Sequence, residues 1–260
     1  MKKYIIVWWK LVSATSAIAL AARFSAIMFT VGKIVRLGMF LVFLYVIMGK
    51  AKTLVGFSQD QIILFFLTFN FVDTLVQMLL REVYRFRGYI VNGTFDGFLT
   101  KPISPLFRAL FGGGDILDMP MVLIMFLLIA ALCIFKIHPS LEGVVLYGLL
   151  LVNSFLMAMA FHIFVVGLAI RTTEVDSAIM MYRDITSLGR MPVDIYKEPL
   201  RSIITFVIPV GIMMTFPVKF LYGLLNWQSF VLACGLSALF LVLSVVFWRN
   251  ALRYYTSASS

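Results

Sequence analysis

The stretch NGTFDGFLTKPISPLF, from Asn92 to Phe107, interrupts a chain that consists mostly of long apolar runs. It contains two glycines, two prolines three residues apart, one aspartate and one lysine. Glycine tolerates unusual backbone angles and proline lacks the N–H that a helix interior needs, so both residues end helices and fix turns. The stretch therefore predicts a turn and a short helix between two long apolar helices.

The composition of the chain is that of a membrane protein. Hydrophobic residues make up 62% of its 260 residues and charged residues make up 13%, whereas soluble domains average about 45–50% apolar and about 25% charged. Several runs exceed the ~18 apolar residues that are needed to cross a bilayer. We therefore predict an all-α, polytopic membrane protein that forms one transmembrane domain over residues 1–260.

Five spans follow directly from the apolar runs, at residues 34–49, 61–80, 116–135, 143–170 and 228–248. Residues 4–31 are also apolar, but Lys10 and Arg23 interrupt them, and Trp8 and Trp9 are residue types that favour the membrane interface. This pattern predicts an amphipathic helix that lies in the cytoplasmic membrane surface.

The remaining span, the fifth in chain order, stays open between two interpretations. In the first, residues 201–222 cross the membrane, although Pro209 and Pro217 break the run. In the second, the polar residues 175–190 cross, and residues 191–222 form a proline-broken hairpin that dips into the outer face. Such a hairpin needs cover from protein or water for its backbone. Both interpretations give six spans with both termini on one side.

Basic residues orient the chain, because cytoplasmic loops carry an excess of lysine and arginine. The N-terminal segment, residues 81–115 and the C-terminal tail are rich in them, whereas the opposite loops hold only Lys50, Lys52 and Lys136. We predict a multi-pass protein of a prokaryotic cell (inner or plasma) membrane with both termini in the cytoplasm. The net charge of +10 then reflects topology, and we expect no nucleic-acid partner.

Patterns typical of catalytic, metal and nucleotide sites are missing from the sequence. It lacks the GxxxxGK[ST] loop that cradles nucleoside triphosphates. His138 and His162 are not spaced with Cys, Asp or Glu as metal ligands, and Cys133 and Cys234 lie far apart in apolar runs, which is typical of packing residues. We expect no catalytic residue, metal or cofactor on this chain.

The candidate substrate-path residues are polar side chains that fall inside the predicted spans: Asn70, Asp73, Asn153, Tyr182, Arg183 and Asp184. Asn70 and Asp73 lie three residues apart and therefore on one helix face. Intramembrane polar groups mark functional sites or hold helices together by hydrogen bonds. The second role is favoured for Asn70 and Asn153, whereas Asp73 stays open. Burying Arg183 and Asp184 costs about 2.5–3.5 kcal/mol each unless they pair or face water.

Residues 88–112, the 88–112 segment, follow the second predicted span. Glycines break the helix there, and Ser104 is placed to cap a new helix that begins at Pro105. Four residues of this new helix form an apolar stripe, namely Leu106, Phe107, Leu110 and Phe111. On these grounds alone, the stripe either lies in the lipid headgroups or binds a cytosolic partner.

The sequences DGFL at 96–99 and KPISPLF at 101–107, between the second and third predicted spans, resemble the membrane subunits of type-2 ATP-binding-cassette exporters. The likeness is greatest to the subgroup whose permeases have about this length. The N-terminal amphipathic segment is similar to the elbow helix of that family, and the proline-spaced residues 190–217 are similar to its segment before the last span. Lys219 departs from the pattern, because a small apolar residue is expected there.

The resemblance implies a permease subunit of an exporter, in which two permease chains, identical or related, form the substrate path. A separate cytosolic ATPase would bind ATP and Mg and hydrolyse the ATP. Its contact is implied at a coupling helix in the 88–112 segment, with the residues Phe98, Leu99, Lys101, Pro102, Pro105, Leu106, Phe107 and Leu110. The resemblance also favours residues 175–190 as the fifth span.

One alternative function stays open on the residues alone. A secondary transporter or channel without an ATPase would use Asp73, or the pair Arg183 and Asp184, for ion coupling.

Overall fold

The computed structural model describes residues 2–51, 53–172 and 175–256. Within these ranges the backbone is helical apart from short connections and one isolated β-bridge between Leu54 and Phe57. Six helices there are long and apolar enough to cross a membrane, namely Lys2–Ala21, Arg23–Lys50, Gln59–Val91, Ile116–Ile137, Leu141–Thr172 and Trp227–Leu252. The prediction of an all-α, polytopic membrane protein is confirmed.

The N-terminal region forms two helices, α1 (Lys2–Ala21) and α2 (Arg23–Ala51), which meet at a bend at Ala22. The predicted interfacial helix over residues 4–31 is therefore too long at its C-terminal end. Residues 23–31 contain no proline, so the helix that restarts at Arg23 propagates without a break into the first span.

The next helix, α3 (Gln59–Leu80), begins with a capping box. The Ser58 N–H donates to Gln61 Oε1 at 2.8 Å, and the Gln61 N–H donates to Ser58 Oγ at 3.4 Å. The chain continues beyond α3 as a 3₁₀ turn (Arg81–Arg85) and as α4 (Phe86–Val91). Gly93 then turns the chain with a φ of +68°, a conformation that glycine adopts without strain.

Two short helices complete the 88–112 segment, α5 (Asp96–Leu99) and α6 (Pro105–Phe111). The predicted cap is present, because the Phe107 N–H donates to Ser104 Oγ at 3.4 Å and Pro105 occupies the first turn. The long helices that follow are α7 (Met119–Leu132), extended by a π-helical turn (Cys133–Ile137), and α8 (Leu141–Thr172).

The last helix, α12 (Trp227–Leu252), packs along α8. A Cβ at Gly167 of α8 would lie 2.8 Å from the Phe247 ring and 3.4 Å from Trp248 Cα of α12. Glycine is needed there because the two helices approach closely. The largest core cluster forms around this contact and includes Met157 and Val166, both fully buried.

Between α8 and α12 lie α9 (Val175–Ser187), α10 (Leu200–Ser202) and α11 (Phe216–Leu221). The helical stretches Leu200–Val207 and Gly211–Leu221 form a pair that is bent by 79° at its break. Pro209 sits at this break, as expected for a residue that cannot donate a helix hydrogen bond. Residues 201–222 therefore do not form one straight span.

We call the two ends of the bundle the loop end, formed by residues 81–115, and the hairpin end, formed by residues 191–222. Helix α9 starts at the loop end, where Arg87 Nη1 lies 3.4 Å from Asp176 Oδ2. The hairpin packs where α3 and α8 begin: Lys219 Nζ is 6.0 Å from the Phe57 ring centre, and a Cβ at Gly143 would lie 3.1 Å from the Leu221 carbonyl oxygen. This geometry favours residues 175–190 as the crossing segment, with the hairpin capping its far end.

Lys197, an exposed residue of the hairpin end, tests this topology. We expect Lys197→Cys, in a background with Cys133→Ser and Cys234→Ser, to react in intact cells with a membrane-impermeant maleimide. Lys101→Cys, at the loop end, should react only after the membrane is opened. Labelling of Lys197→Cys only in opened cells would restore residues 201–222 as the fifth span.

The unexpected Lys219 has a carboxylate partner within the hairpin end. Its Nζ lies 2.7 Å from Asp194 Oδ2, and Arg201 Nη2 lies 2.5 Å from Asp194 Oδ1. The Lys219 and Asp194 side chains are only 13% and 12% exposed. Asp194 therefore compensates the charge that made Lys219 depart from the expected pattern.

We expect Asp194→Asn to destabilise the protein by about 3 kcal/mol, because it leaves Lys219 largely buried without a counter-charge. Lys219→Met should cost less than about 1 kcal/mol, because Asp194 keeps its ion pair with Arg201. Unfolding of the purified variants in detergent measures both values. Equal losses in the two variants would contradict the pairing.

Candidate functional site

The residues predicted to form a coupling site divide into three groups by exposure. Leu99, Lys101 and Pro102 are exposed, Pro105, Leu106 and Phe107 are half-buried, and Phe98 and Leu110 are buried. The exposed members lie in residues 99–104, which comprise the last residue of α5 and the turn that leads to α6. These residues, which we call the exposed turn, are the part of the predicted site that is open to a partner.

The apolar stripe of α6 is partly covered by the chain itself: Leu110 is buried, and Leu106, Phe107 and Phe111 are half-buried. The Phe107 ring lies 4.9 Å from the Tyr4 ring of α1, edge to face, and 5.5 Å from Phe111. Leu106 and Phe111 pack against the largest core cluster, and Leu110 is a member of it. A short helix buries its apolar stripe on the nearest apolar surface, and here α1 and the core supply that surface.

Helix α1 forms hydrogen bonds with the 88–112 segment and with the residues just after it. Lys3 Nζ donates to the Pro102 carbonyl oxygen at 2.6 Å, and Tyr4 Oη accepts a hydrogen bond from the Ser104 N–H at 3.3 Å. One end of α1 thus meets the exposed turn. Further along the helix, Thr15 Oγ1 donates to the Gly114 carbonyl oxygen at 3.2 Å. Because both contacts involve the loop end, α1 lies along that end of the bundle.

The C-terminal tail holds the other side of the 88–112 segment. Tyr255 packs edge to face on Phe95 with ring centres 5.0 Å apart, and its hydroxyl donates to Asp96 Oδ1 at 2.9 Å. Burial, together with the hydrogen bond and the charge of Asp96, raises the pKa of Tyr255 to about 12. The phenol therefore remains a protonated donor at neutral pH.

The glycine run 112–114 allows the chain to pass tightly over the end of α3. A Cβ at Gly113 would lie 2.5 Å from Glu82 Oε2 and 2.8 Å from Arg85 Nη1, and one at Gly114 would lie 3.2 Å from the Met78 carbonyl oxygen. Helix α6 ends at Phe111 with Gly112 as its C-cap, and Gly112 has an ordinary helical φ of −69°. Close approach, and not an unusual backbone angle, explains the glycines.

Glu82 is the site residue that the sequence did not reveal. It is 2% exposed, and it accepts hydrogen bonds from Tyr89 Oη at 2.7 Å and from Arg85 Nη1 at 3.2 Å. The signal available in the sequence was a single acid inside the basic stretch REVYRFR at 81–87. The buried carboxylate of Glu82 thus has two hydrogen-bond donors, and Gly112 and Gly113 pack against it. These contacts hold the 88–112 segment at a defined angle to α3.

A second candidate site is a cavity of about 360 Å³ that lies between α2, α3, α7 and the end of α9. Its polar side is a stripe along α3, formed by Asn70, Asp73, Thr74, Gln77 and Arg81, with the spacing of one helix face. The rest of the lining is basic or apolar, namely Phe29, Lys33, Arg36, Leu37, Phe40, Phe66, Phe69, Met121, Met125, Arg183 and Arg190.

Three of the six predicted path residues line this cavity: Asn70, Asp73 and Arg183. The other three do not. Tyr182 turns away and packs against Phe161 and His162 of α8, with ring centres 5.5 and 4.9 Å apart. Asn153 is buried and donates to the Ala233 carbonyl oxygen of α12 at 3.4 Å, and Asp184 is exposed outside the lining.

The sequence did not predict that four basic residues line the cavity, namely Lys33, Arg36, Arg81 and Arg190, because basic residues near span ends are already expected from topology. The helical spacing of the α3 stripe could have identified Arg81. Within the described part of the chain, no three His, Cys, Asp or Glu side chains form a group that could hold a metal ion. His162 is buried and its Nδ1 lies 2.8 Å from the Ala158 carbonyl oxygen of its own helix.

Comparison with known proteins assigns the family. A family model described as "ABC-2 family transporter protein" matches residues 34–259, a range that includes the 88–112 segment and most of the cavity lining. Searches of curated proteins and of solved structures each returned no match. Because the family model covers most of the chain, this protein belongs to the ABC-2 family of transporter proteins.

Proposed function

We propose that this ABC-2 family membrane subunit is the permease of an exporter that is driven by a separate cytosolic ATPase. The observation that carries the proposal is the exposed turn, which α1 contacts at Pro102 and which follows a short helix that the C-terminal tail holds at Asp96. A loop that had only to connect two spans would not need contacts from both ends of the chain. The export direction rests on the likeness of this segment to exporter permeases.

The contacts around the exposed turn suggest how force reaches the spans. An ATPase that pushes on the turn moves α6, which is packed on α1 through Phe107 and Tyr4. It also moves the glycine run, which lies against Glu82 at the end of α3. Because packed elements move as rigid bodies, a small displacement of the turn tilts α3 and α1 together.

The cavity supports the proposed substrate path. Arg36, Arg183 and Arg190 line it and remain exposed, so the cavity is open on the side where these residues lie. A second permease chain, identical or related, placed on that side would close a path between the two copies. ATP and Mg belong to the ATPase in this proposal, since this sequence has no phosphate-binding loop.

Co-purification tests the proposal. A tagged full-length chain, extracted from the membranes of its own host, should bring down a subunit with nucleotide-binding motifs in about equal amount. Export from cells should then stop when that subunit loses its ability to hydrolyse ATP. Isolation of the chain without an ATPase, together with transport that follows an ion gradient, would favour the alternative of a secondary transporter that uses Asp73.

A further inference from the structure

We propose that the cavity along α3 binds the anionic group, a phosphate or a carboxylate, of an amphiphilic molecule. The inference rests on the proposed transport function, because it names the class of substrate that enters the path. It follows from the charges and the apolar groups of the lining, taken in turn below.

The cavity has an excess of positive charge. Five basic side chains line it, Lys33, Arg36, Arg81, Arg183 and Arg190, against the single acid Asp73. Two of the five have carboxylate partners just outside the lining: Lys33 pairs with the fully buried Asp118, and Arg81 Nε lies 3.8 Å from Asp115 Oδ2.

Three arginines remain, Arg36, Arg183 and Arg190, and among the described residues no carboxylate lies within 4 Å of any of them. All three line the same cavity as Asp73. Three positive charges and one negative charge leave a local excess of two positive charges.

Asp73 is held on its own helix and does not close on the arginines. Gln77 Nε2 donates to Asp73 Oδ2 at 2.7 Å, one turn further along α3. The guanidinium groups of Arg183 and Arg190 approach from α9 and the turn that follows it. Arginine binds phosphate and carboxylate through paired N–H donors, and such hydrogen bonds strengthen where water is partly excluded. The arginines are therefore open to an incoming anion, and the carboxylate of Asp73 is the one negative charge of the lining that opposes its binding.

The other part of the lining is apolar, which distinguishes an amphiphile from a free anion. The Phe40 and Phe66 rings stack with centres 4.4 Å apart at the wall of the cavity, and Leu37 and Met125 beside them are buried. Arg190 lies over the Phe69 ring at 5.8 Å, where the basic and the apolar parts meet. A ligand with a charged head and a hydrocarbon tail matches both parts at once.

Native mass spectrometry of the full-length chain in a neutral detergent tests the proposal. The probes are dioleoyl phosphatidic acid and dioleoyl phosphatidylcholine at equal concentration, since they share their tails and differ in net charge. We expect the wild type to retain the anionic lipid about tenfold more, the size of one or two charge-assisted hydrogen bonds. The double variant Arg183→Gln with Arg190→Gln should lose this preference.

Two further variants make the result specific to the cavity. Arg249→Gln with Arg253→Gln removes the same charge from exposed positions near the C-terminus and should keep the preference. Asp73→Asn removes the negative charge that opposes the anion and should raise retention of the anionic lipid, a gain that a misfolded chain cannot imitate. The inference is wrong if the Arg183/Arg190 variant keeps the preference or if the Arg249/Arg253 variant loses as much.

A probe without a hydrocarbon tail distinguishes the head group of an amphiphile from a free anion. Excess inorganic phosphate should fail to displace the anionic lipid, because it cannot use the apolar wall. Displacement by inorganic phosphate would overturn the amphiphile and identify a site for the free anion. All these measurements use the permease chain without its ATPase, so their failure leaves the co-purification result, and with it the proposed function, standing.

Discussion

Leu99→Asp combined with Lys101→Glu is expected to abolish export and to weaken binding of the ATPase by at least about tenfold, the effect of losing a central interface contact. Both side chains lie in the exposed turn, and Leu99 is 43% exposed. The double change therefore alters the surface that a partner meets without opening the core. Recovery of the ATPase with the tagged variant, and export from cells, measure the two losses.

The matched control is Leu224→Asp combined with Lys136→Glu. Both residues are exposed and lie away from the loop end, Leu224 in the turn before α12 and Lys136 in the π-helical turn that extends α7. This pair makes the same changes in charge and polarity and should leave ATPase binding intact. If the control variant lost the ATPase to the same extent, or if the Leu99/Lys101 variant kept it, the exposed turn would not be the docking surface.

Gly113→Ala is expected to uncouple the ATPase from transport and to lower stability by about 1–3 kcal/mol, the usual cost of overpacking a well-packed site. The added methyl group would lie 2.5 Å from Glu82 Oε2, 2.8 Å from Arg85 Nη1 and 3.0 Å from Thr15 Cγ2. To make room, the 88–112 segment must move away from α3 or from α1. ATP hydrolysis by the bound subunit should continue while export falls.

Gly97→Ala is the matched control, because a Cβ at Gly97 meets nothing within 4 Å. It should keep both stability and coupling, and in the short helix α5 alanine is the better helix former. Thermal unfolding and the ratio of ATP hydrolysed to substrate exported separate the two variants. Equal behaviour of Gly113→Ala and Gly97→Ala would mean that the close approach at Glu82 does not transmit movement.

The architecture was largely predictable because the bilayer imposes it locally. The apolar composition of residues 228–248 by itself predicts a span, and α12 (Trp227–Leu252) begins and ends within a few residues of these bounds. The Ser104 cap and the helix start at Pro105 are likewise decided by neighbouring residues. The predicted end of the first helix was wrong because the charges of Lys10 and Arg23 favour one interfacial helix, whereas the break lies at Ala22.

The site was less predictable because its contacts join residues that are distant in the chain. The sequence leaves the stripe of α6 open between the lipid headgroups and a cytosolic partner, and only the fold brings Tyr4 over Phe107, about a hundred residues later. Lys219 departs from the expected apolar pattern, and only the fold places the carboxylate of Asp194, 25 residues earlier, beside it. Basic residues such as Arg190 are expected near the ends of spans because of topology. A single sequence therefore gives no separate indication that they also line the cavity.

Crosslinking from the exposed turn tests the central claim, that an ATPase contacts this permease between α5 and α6. Lys101→Cys, in a background with Cys133→Ser and Cys234→Ser, would be joined to its neighbours in native membranes with a short thiol-to-amine reagent. The account predicts a covalent adduct with a nucleotide-binding subunit, and no such adduct from Leu224→Cys. An adduct from Leu224→Cys alone, or none from Lys101→Cys while the ATPase still co-purifies, would contradict it.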